Sequence, residues 1–285
     1  MSERKQPKSA PIFQTDPAIP EISVGIPSAT PRTGSPPLPV ASLDLAGHPK
    51  CWLVVGRGRT GKTTLIRWIA EHANAMEHKV VLADLDRTNA TLTSYLNGVL
   101  RAPALDDAGT VQWLQKIIGN TMANQVSTII DLGGGDTALV QIADEVPDMP
   151  DMVHQSGAEL VAAYMLGPQP DDLSPLATLR NRGFSPAATV LILNEGLLGP
   201  GVDLETGFAS VQAHSVFRAA VDAGAMVVRF PRLIPASEIE KRRISFTEAR
   251  DALVEPALGP FDRARIRQWL NRMDYEFAPI ATWLP

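Results

Sequence analysis

Residues Gly56-Arg57-Gly58-Arg59-Thr60-Gly61-Lys62-Thr63 set two glycines, a lysine and a hydroxyl at the spacing GxxxxGK[ST]. That spacing suits a polyphosphate. Glycines let the backbone curl until successive N–H groups converge on phosphate oxygens. Lys62 can place its ammonium between the β- and γ-phosphates, Thr63 can ligate Mg²⁺, and a helix starting near Gly61 aims its positive end at the anion. The stretch follows an apolar run, CWLVV at 51–55, and precedes a helical pattern, as a strand–loop–helix cradle requires. We therefore expect a nucleoside triphosphate to be held by Gly56, Gly58, Arg59, Thr60, Gly61, Lys62, Thr63 and Thr64.

Three aspartates fall where such a cradle needs carboxylates. VVLADLD ends one apolar run with Asp84 and Asp86 at alternate positions, on the same side of an extended chain. STIIDLGGGD ends another with Asp131, the place of a carboxylate that holds the hydrated metal. In an open parallel sheet ligands collect beyond the carboxyl ends of strands, which is where all three lie. Asn194 closes the run TVLIL; there an amide could read a base edge or simply make a turn. NEGL at 194–197 lacks the lysine and aspartate of the NKxD guanine-reading motif, which favours ATP over GTP.

The elements that must position these groups follow from the alternation of apolar runs with helical periodicity. Runs at 51–55, 79–83, 126–130, 159–166, 187–193 and 225–230 read as strands buried on both faces. Between them, 61–76 and 110–123 place apolar residues at helical spacing. Strands alternating with helices imply right-handed crossovers, so the fold class is α/β: a mostly parallel twisted sheet of about six or seven strands flanked by helices. This domain is expected to span residues 50–285. Residues 1–49 carry ten of the 24 prolines and no Trp or Tyr, and their Lys/Arg and Asp/Glu balance. They read as a disordered Pro-rich leader, a tether or a docking segment. The formal charge of −5 argues against wholesale coating of nucleic acid, though not against a local basic patch. A single cysteine, Cys51, forms no internal disulfide, and no apolar stretch approaches membrane-spanning length. The localisation expected is cytoplasmic.

Several segments resemble the ParA/MinD family of deviant-Walker P-loop ATPases, the SIMIBI class. GRGRTGKTT aligns without gaps to that family's xKGGxGKTT. KVVLADLDRTNATLTSYL is similar to VLLxDxDPQGNxT, one residue shorter after the second Asp. STIIDLGGG takes the Walker B and switch II place, and RFPRL at 229–233 resembles the proline-arginine turn that flanks the adenine, which places Pro231 beside the base. IIDLGGGDTAL is similar to ParA-like proteins of conjugative plasmids, of the StbB/TraL sort. The resemblance implies an ATP-dependent homodimer with Mg²⁺ and nucleotide at its interface, whose hydrolysis releases it from DNA, a DNA-binding adaptor protein or a membrane. It also implies roles by position. Lys62 binds phosphate, Thr63 takes Mg²⁺, Asp86 orients the attacking water, Asp84 and Asp131 support the metal, and Gly134 senses the γ-phosphate. The signature lysine that reaches across the dimer falls at Arg57, which keeps the charge on a longer, planar group. Arg59 replaces a glycine and Arg87 a proline.

Other readings stay open. Lys241, Arg242, Arg243, Arg250, Arg263, Arg265, Arg267 and Arg272 could form a DNA-phosphate groove, or mixed solvated faces with the acids among them. The segment 262–277 is amphipathic; it could grip a membrane or, the commoner case, pack on its own sheet. Two other functions compete with the switch. A small-molecule kinase would need LRNRGF at 179–184 as a lid and NEGLLGPGVDLETG at 194–207 beside an acceptor pocket. A partner module would bind nucleotide with little turnover.

Overall fold

The sheet is parallel throughout, with strand order β3-β2-β4-β1-β5-β6-β7. In the computed structural model, which describes residues 41–86, 92–103, 106–133 and 137–285, the strands are β1 (Lys50–Val55), β2 (Val80–Asp84), β3 (Leu100–Arg101), β4 (Ser127–Asp131), β5 (Glu159–Leu166), β6 (Ala188–Asn194) and β7 (Met226–Phe230). The helices described are α1 (Lys62–Ala75), α2 (Asp107–Asn124), α3 (Ala138–Glu145), α4 (Met149–Gln155), α5 (Ser174–Asn181), α6 (Ala209–Gln212), α7 (Ser215–Asp222), α8 (Ala236–Arg242), α9 (Phe246–Asp251) and α10 (Pro260–Phe277). The expected α/β sheet flanked by helices is the observed one.

Period-two alternation explains why β1 reads as one apolar run. Cys51, Leu53 and Val55 turn to one face, against α2 residues Val111 and Leu114 and, farther along the sheet, Phe217 of α7. Trp52 and Val54 turn to the other, against Leu65, Ile66 and Ile69 of α1, Phe246 of α9 and Trp269 of α10. With both faces covered, every β1 position from Cys51 to Val55 is an apolar one. Burial also pushes the Cys51 thiol up to about 12, so it behaves as a core side chain rather than a nucleophile. The strand missing from the sequence reading, β3, has two exposed residues at the sheet edge and no apolar run to betray it.

The amphipathic segment 262–277 is α10, and its stripe is spent on the domain. Ile266, Trp269, Met273 and Phe277 are buried, Trp269 Nε1 donates to Pro231 O at 2.9 Å, and Phe277 stacks on Trp68 at 4.6 Å between centroids. No described helix is long and apolar enough to cross a membrane.

Residues 41–49, placed in the leader on composition, lie on the domain; the rest of that segment, 1–40, falls outside the described residues. Ala41 N donates to Pro279 O (3.1 Å), and Leu45 is buried. Two tryptophans complete the clasp: Trp283 Nε1 donates to Leu43 O at 2.8 Å, and Trp52 Nε1 donates to Trp283 O at 2.6 Å. Trp283 thus ties the C-terminal segment to the incoming chain and to the central strand. Trp283→Ala should lower stability by about 3–5 kcal/mol, because it leaves a cavity and an unpaired carbonyl at Leu43. Urea denaturation of parent and variant, with midpoints compared at matched slope, measures this.

Candidate functional site

The parallel topology puts the carboxyl ends of β1, β2 and β4 side by side, since β1 and β2 flank β4. Register sets the neighbours. Asp84 pairs across from Asp131, and Asp131 pairs across from Val54, two residues before the loop. Two carboxylates therefore stand next to one another beside the glycine-rich turn.

That turn, residues 56–61, is shaped by close approaches. Gly61 has φ +94° and is the N-cap of α1; a Cβ there would sit 2.6 Å from Asn194 Nδ2. At Gly56 a Cβ would meet Thr60 Oγ1 at 2.8 Å and Met165 Cβ at 3.0 Å. Thr60 Oγ1 donates to Arg57 O (2.8 Å), closing the curve from within. Asn194 braces it from outside: Nδ2 donates to Thr60 O (2.7 Å) and Oδ1 accepts from Gly196 N (2.8 Å). The amide is thus committed to the protein backbone, and the base-reading option for Asn194 gives way to a loop-bracing role.

The helix that begins here has no capping side chain at its N-cap, Gly61. α1 also has no acidic residue in its first turn, whereas α2 is capped by Asp106, which accepts from Gly109 N at 2.8 Å. Uncapped N–H groups carry a partial positive charge that suits an anion. Lys62 Nζ donates to Gly56 O (3.1 Å) and Arg57 O (3.3 Å), so its ammonium lies over the loop. A cleft of about 690 Å³ opens above, lined by Gly58, Arg59, Gly61, Lys62, Thr63, Thr64, Asp86 and Asp131 from the expected set.

Opposite the amides the charge is negative and poorly solvated. Burial pushes the Asp131 carboxyl up to about 7; Lys62 works against that shift, and the charges of Asp84 and Asp86 add to it. Asp84 is raised by burial too, although it accepts from Asp86 N at 2.9 Å. Asp84 Oδ2 and Asp131 Oδ1 are buried with no hydrogen-bond partner among the described residues. Two sealed, unpartnered carboxylate oxygens beside a hydroxyl such as Thr63 fit a hydrated divalent cation. Among the described residues no three His, Cys, Asp or Glu side chains converge as a ligand set. Mg²⁺ does not require one, because it keeps several waters and takes phosphate oxygens alongside one or two carboxylates.

The structure does not bring every expected residue to the cleft. Arg57 faces away, 3.6 Å from Asp172 Oδ1. Pro231 is buried with its carbonyl accepting from Trp269 Nε1, and it does not line the cleft. Gly134 and Arg87 lie outside the described residues. The segment 179–184 borders a different cavity, bounded by the residues that lead into β6 and β7, and so is not a lid on the cradle. Most basic groups of the C-terminal quarter are paired: Lys241 and Arg242 with Glu238, Arg250 with Asp251, Arg265 with Asp262, Arg272 with Glu195. That is the mixed, solvated pattern rather than an open basic groove.

Three further residues line the cleft without having been expected there: Arg67, Tyr95 and Glu240. Arg67 is buried on α1, donates from Nη2 to Ile244 O (2.7 Å), and lies over Tyr95 (4.3 Å) and Phe246 (4.8 Å). One turn on, the Glu71 carboxylate accepts from Phe246 N (2.9 Å) and Thr247 N (3.2 Å) at the start of α9. The helix that carries the cradle is thereby fastened to the α8–α9 segment. A cation inside the apolar turn LIRWI was the available signal.

No family model matches the chain, and no curated protein matches it. Solved structures do. The MinC:MinD cell division complex of Aquifex aeolicus aligns at 12% identity over 78% of this chain and 96% of that one, with a TM-score of 0.45. The signal recognition particle receptor FtsY of Elizabethkingia anophelis, in complex with GDP, aligns at 16% identity over 68% and 60%, with a TM-score of 0.43. A nucleotide-binding protein of Archaeoglobus fulgidus in complex with ADP aligns at 12% identity over 68% and 86%, with a TM-score of 0.41.

Two outcomes check this geometry. Gly61→Ala should cost about 1–2 kcal/mol through the left-handed backbone alone, and more through loss of the Asn194 brace; thermal melts measure it. Asp131 has its folded value raised above the ordinary 3.8, so its contribution to stability is full below that value and is lost as pH rises through about 7. With chelator present, Asp131→Asn should therefore flatten the fall in stability between these limits. Above pH 7 the variant should be more stable than the parent by on the order of 1–3 kcal/mol. Urea melts at both ends of the range decide it.

Proposed function

We propose that the protein is a P-loop ATPase of the ParA/MinD type, an ATP-switched homodimer acting in plasmid or chromosome partitioning, maintenance or positioning. One observation carries this reading. The glycine-wrapped N-terminus of α1, which has no side-chain cap and carries Lys62 over it, faces two buried carboxylates whose oxygens Asp84 Oδ2 and Asp131 Oδ1 have no partner among the described residues. Positive amides on one side and unpaired anionic oxygens on the other suit a magnesium–triphosphate, which satisfies both at once.

In this reading the loop amides and Lys62 bind the phosphates, and Thr64 adds a hydroxyl behind Thr63. Thr63 would hold Mg²⁺, with Asp84 and Asp131 accepting from its waters; the bound ion supplies charge neutralisation along the phosphates. Asp86 lines the cleft, and Gly133 lies against it: a Cβ at Gly133 would come 3.3 Å from Asp86 Cα. In this reading Asp86 would orient a water toward the terminal phosphate. Arg57 would cross to the partner subunit's nucleotide once released from Asp172. Contact with DNA, direct or through an adaptor, would have to compete with the acidic partners already held by the C-terminal basic residues.

A second reading, a nucleotide-binding partner module with little turnover, is favoured by the Arg57–Asp172 pair, which keeps the signature side chain at home. Turnover separates the two. Lys62→Ala should lower ATP affinity at least about a hundredfold, the loss of a charge-assisted contact with several phosphate oxygens. Asp86→Ala should retain binding within about threefold yet lose at least about a hundredfold in hydrolysis, since only water orientation is removed. Calorimetry and phosphate release measure these. Size analysis with a non-hydrolysable ATP analogue should show a dimer that Arg57→Ala weakens; a monomer in every nucleotide state favours the second reading.

A further inference from the structure

Away from the phosphate cradle, at the end of the sheet where β6 and β7 begin, a cavity of about 470 Å³ opens between α5 and α7. Small residues make the room: Ala187 and Ala188 enter β6, Ala220 and Ala223 belong to α7 and its end, and Gly183 and Gly224 turn the chain with φ +77° and +95°. The volume is that of a small-molecule pocket.

Its charge is one-sided. Arg180 of α5 is the one charged side chain on the wall; no Asp or Glu lines it. Arg180 also has no ion pair or side-chain hydrogen bond among the described residues, whereas its neighbour Arg182 is paired with Asp144. Beside it stands Tyr164 of β5, 3% exposed, within the electrostatic reach of that guanidinium and with no hydrogen-bond partner for its hydroxyl among the described residues. Burial pushes the phenol above its ordinary range, so it remains a neutral O–H donor. Ser185 and Thr189 add hydroxyls, while Leu176, Phe184 and Trp283 supply apolar walls.

Arg180 is exposed and has no carboxylate partner among the described residues, and the Tyr164 hydroxyl has no acceptor among them, so both are free to bind an anion that enters the cavity. One planar anion completes both, because the arginine fork matches a carboxylate bidentately. A polyphosphate would find a single cation and no glycine-rich curl. We propose that this cavity is a second binding site, separate from the phosphate cradle, for a small organic carboxylate with an apolar body. Its carboxylate is held by Arg180 and the Tyr164 hydroxyl, and its body lies against Leu176, Phe184 and Trp283.

The site also has a route to the cradle. Tyr164 is paired in register with Val55, the residue before Gly56, and α5 follows the turn that carries Asp172, the partner of Arg57.

The test uses the full chain and 4-fluorobenzoate, followed by ¹⁹F NMR titration, with 4-fluorobenzamide as the uncharged counterpart. We expect saturable binding of the acid and at least about tenfold weaker binding of the amide, the loss of one charge-assisted contact. Arg180→Gln, at an exposed backbone position, should weaken the acid at least about tenfold, and Tyr164→Phe about threefold or more. Lys62→Ala, which disables the cradle, should leave the titration unchanged. Absence of saturation by the acid, equal binding by Arg180→Gln, or loss of the acid's binding in Lys62→Ala would each overturn the proposal. The cradle assignment would stand or fall separately on its own calorimetry.

Discussion

The structure depends on keeping unlike charges close but unneutralised. The N-terminus of α1, without a side-chain cap, and the Lys62 ammonium stand on one side of the cleft, and the buried Asp131 and Asp84 carboxylates stand on the other. Nothing in the protein prevents these groups from being satisfied more cheaply: a serine cap before α1, or a hydrogen-bond donor beside Asp131, would do so. The chain instead stabilises an arrangement that is poorer for folding and that suits the magnesium–triphosphate of the proposed function. Such local cost is tolerable because the surrounding core is continuous on both faces of the sheet.

Holding that arrangement requires rigidity from distant parts of the chain. Asn194, at the far end of β6, fixes the loop through Thr60 O, and Glu195 beside it is buried against Arg272 of α10 at 2.6 Å. Arg232 donates to Glu195 O and to Leu198 O, so the turn after β6 is pinned by the turn after β7. On the other flank Arg67 and Glu71 attach α1 to the α8–α9 segment. Burying ions in this way adds little net stability, but removing one partner leaves an uncompensated charge, so the pairs specify position rather than strength. The cradle is thus set by contacts between residues far apart in sequence, and its geometry is only as fixed as β6, β7 and α10 make it.

What the sequence made legible follows from this division. The cradle, the carboxyl-end aspartates and the doubly buried strands each leave a local mark: a glycine spacing, a strand-terminating Asp, an apolar run. β3 left none, because an exposed two-residue edge strand has no periodicity to read, yet it places Arg101 beside Asp84. Arg67 and Glu71 were legible as helix residues but not as clasps, since their partners lie 175 residues or more away. Asn194 was legible as a strand-end residue beside the site, open between a base-reading amide and a turn residue; its bonds with Thr60 O and Gly196 N are those of the turn. Arg180 was legible only within the lid candidate LRNRGF and Tyr164 only as a strand residue, because the cavity they share is lined by segments far apart in sequence.

Arg57 shows how a substitution at one position joins these levels. At 3.6 Å its contact with Asp172 is a charge pair without a hydrogen bond, and Arg57 is half exposed. A pair of that kind is worth about 0–1 kcal/mol. Asp172 does not need it, because its other oxygen accepts from Gly167 N at 3.0 Å. The guanidinium is therefore held weakly in its resting position, and in the proposed dimer it would leave for phosphate oxygens, which offer it two parallel charge-assisted bonds in place of one long contact. A lysine would make the same journey as a point charge. An arginine arrives as a fork, so its orientation on the target matters more and its grip there, once made, is more directional.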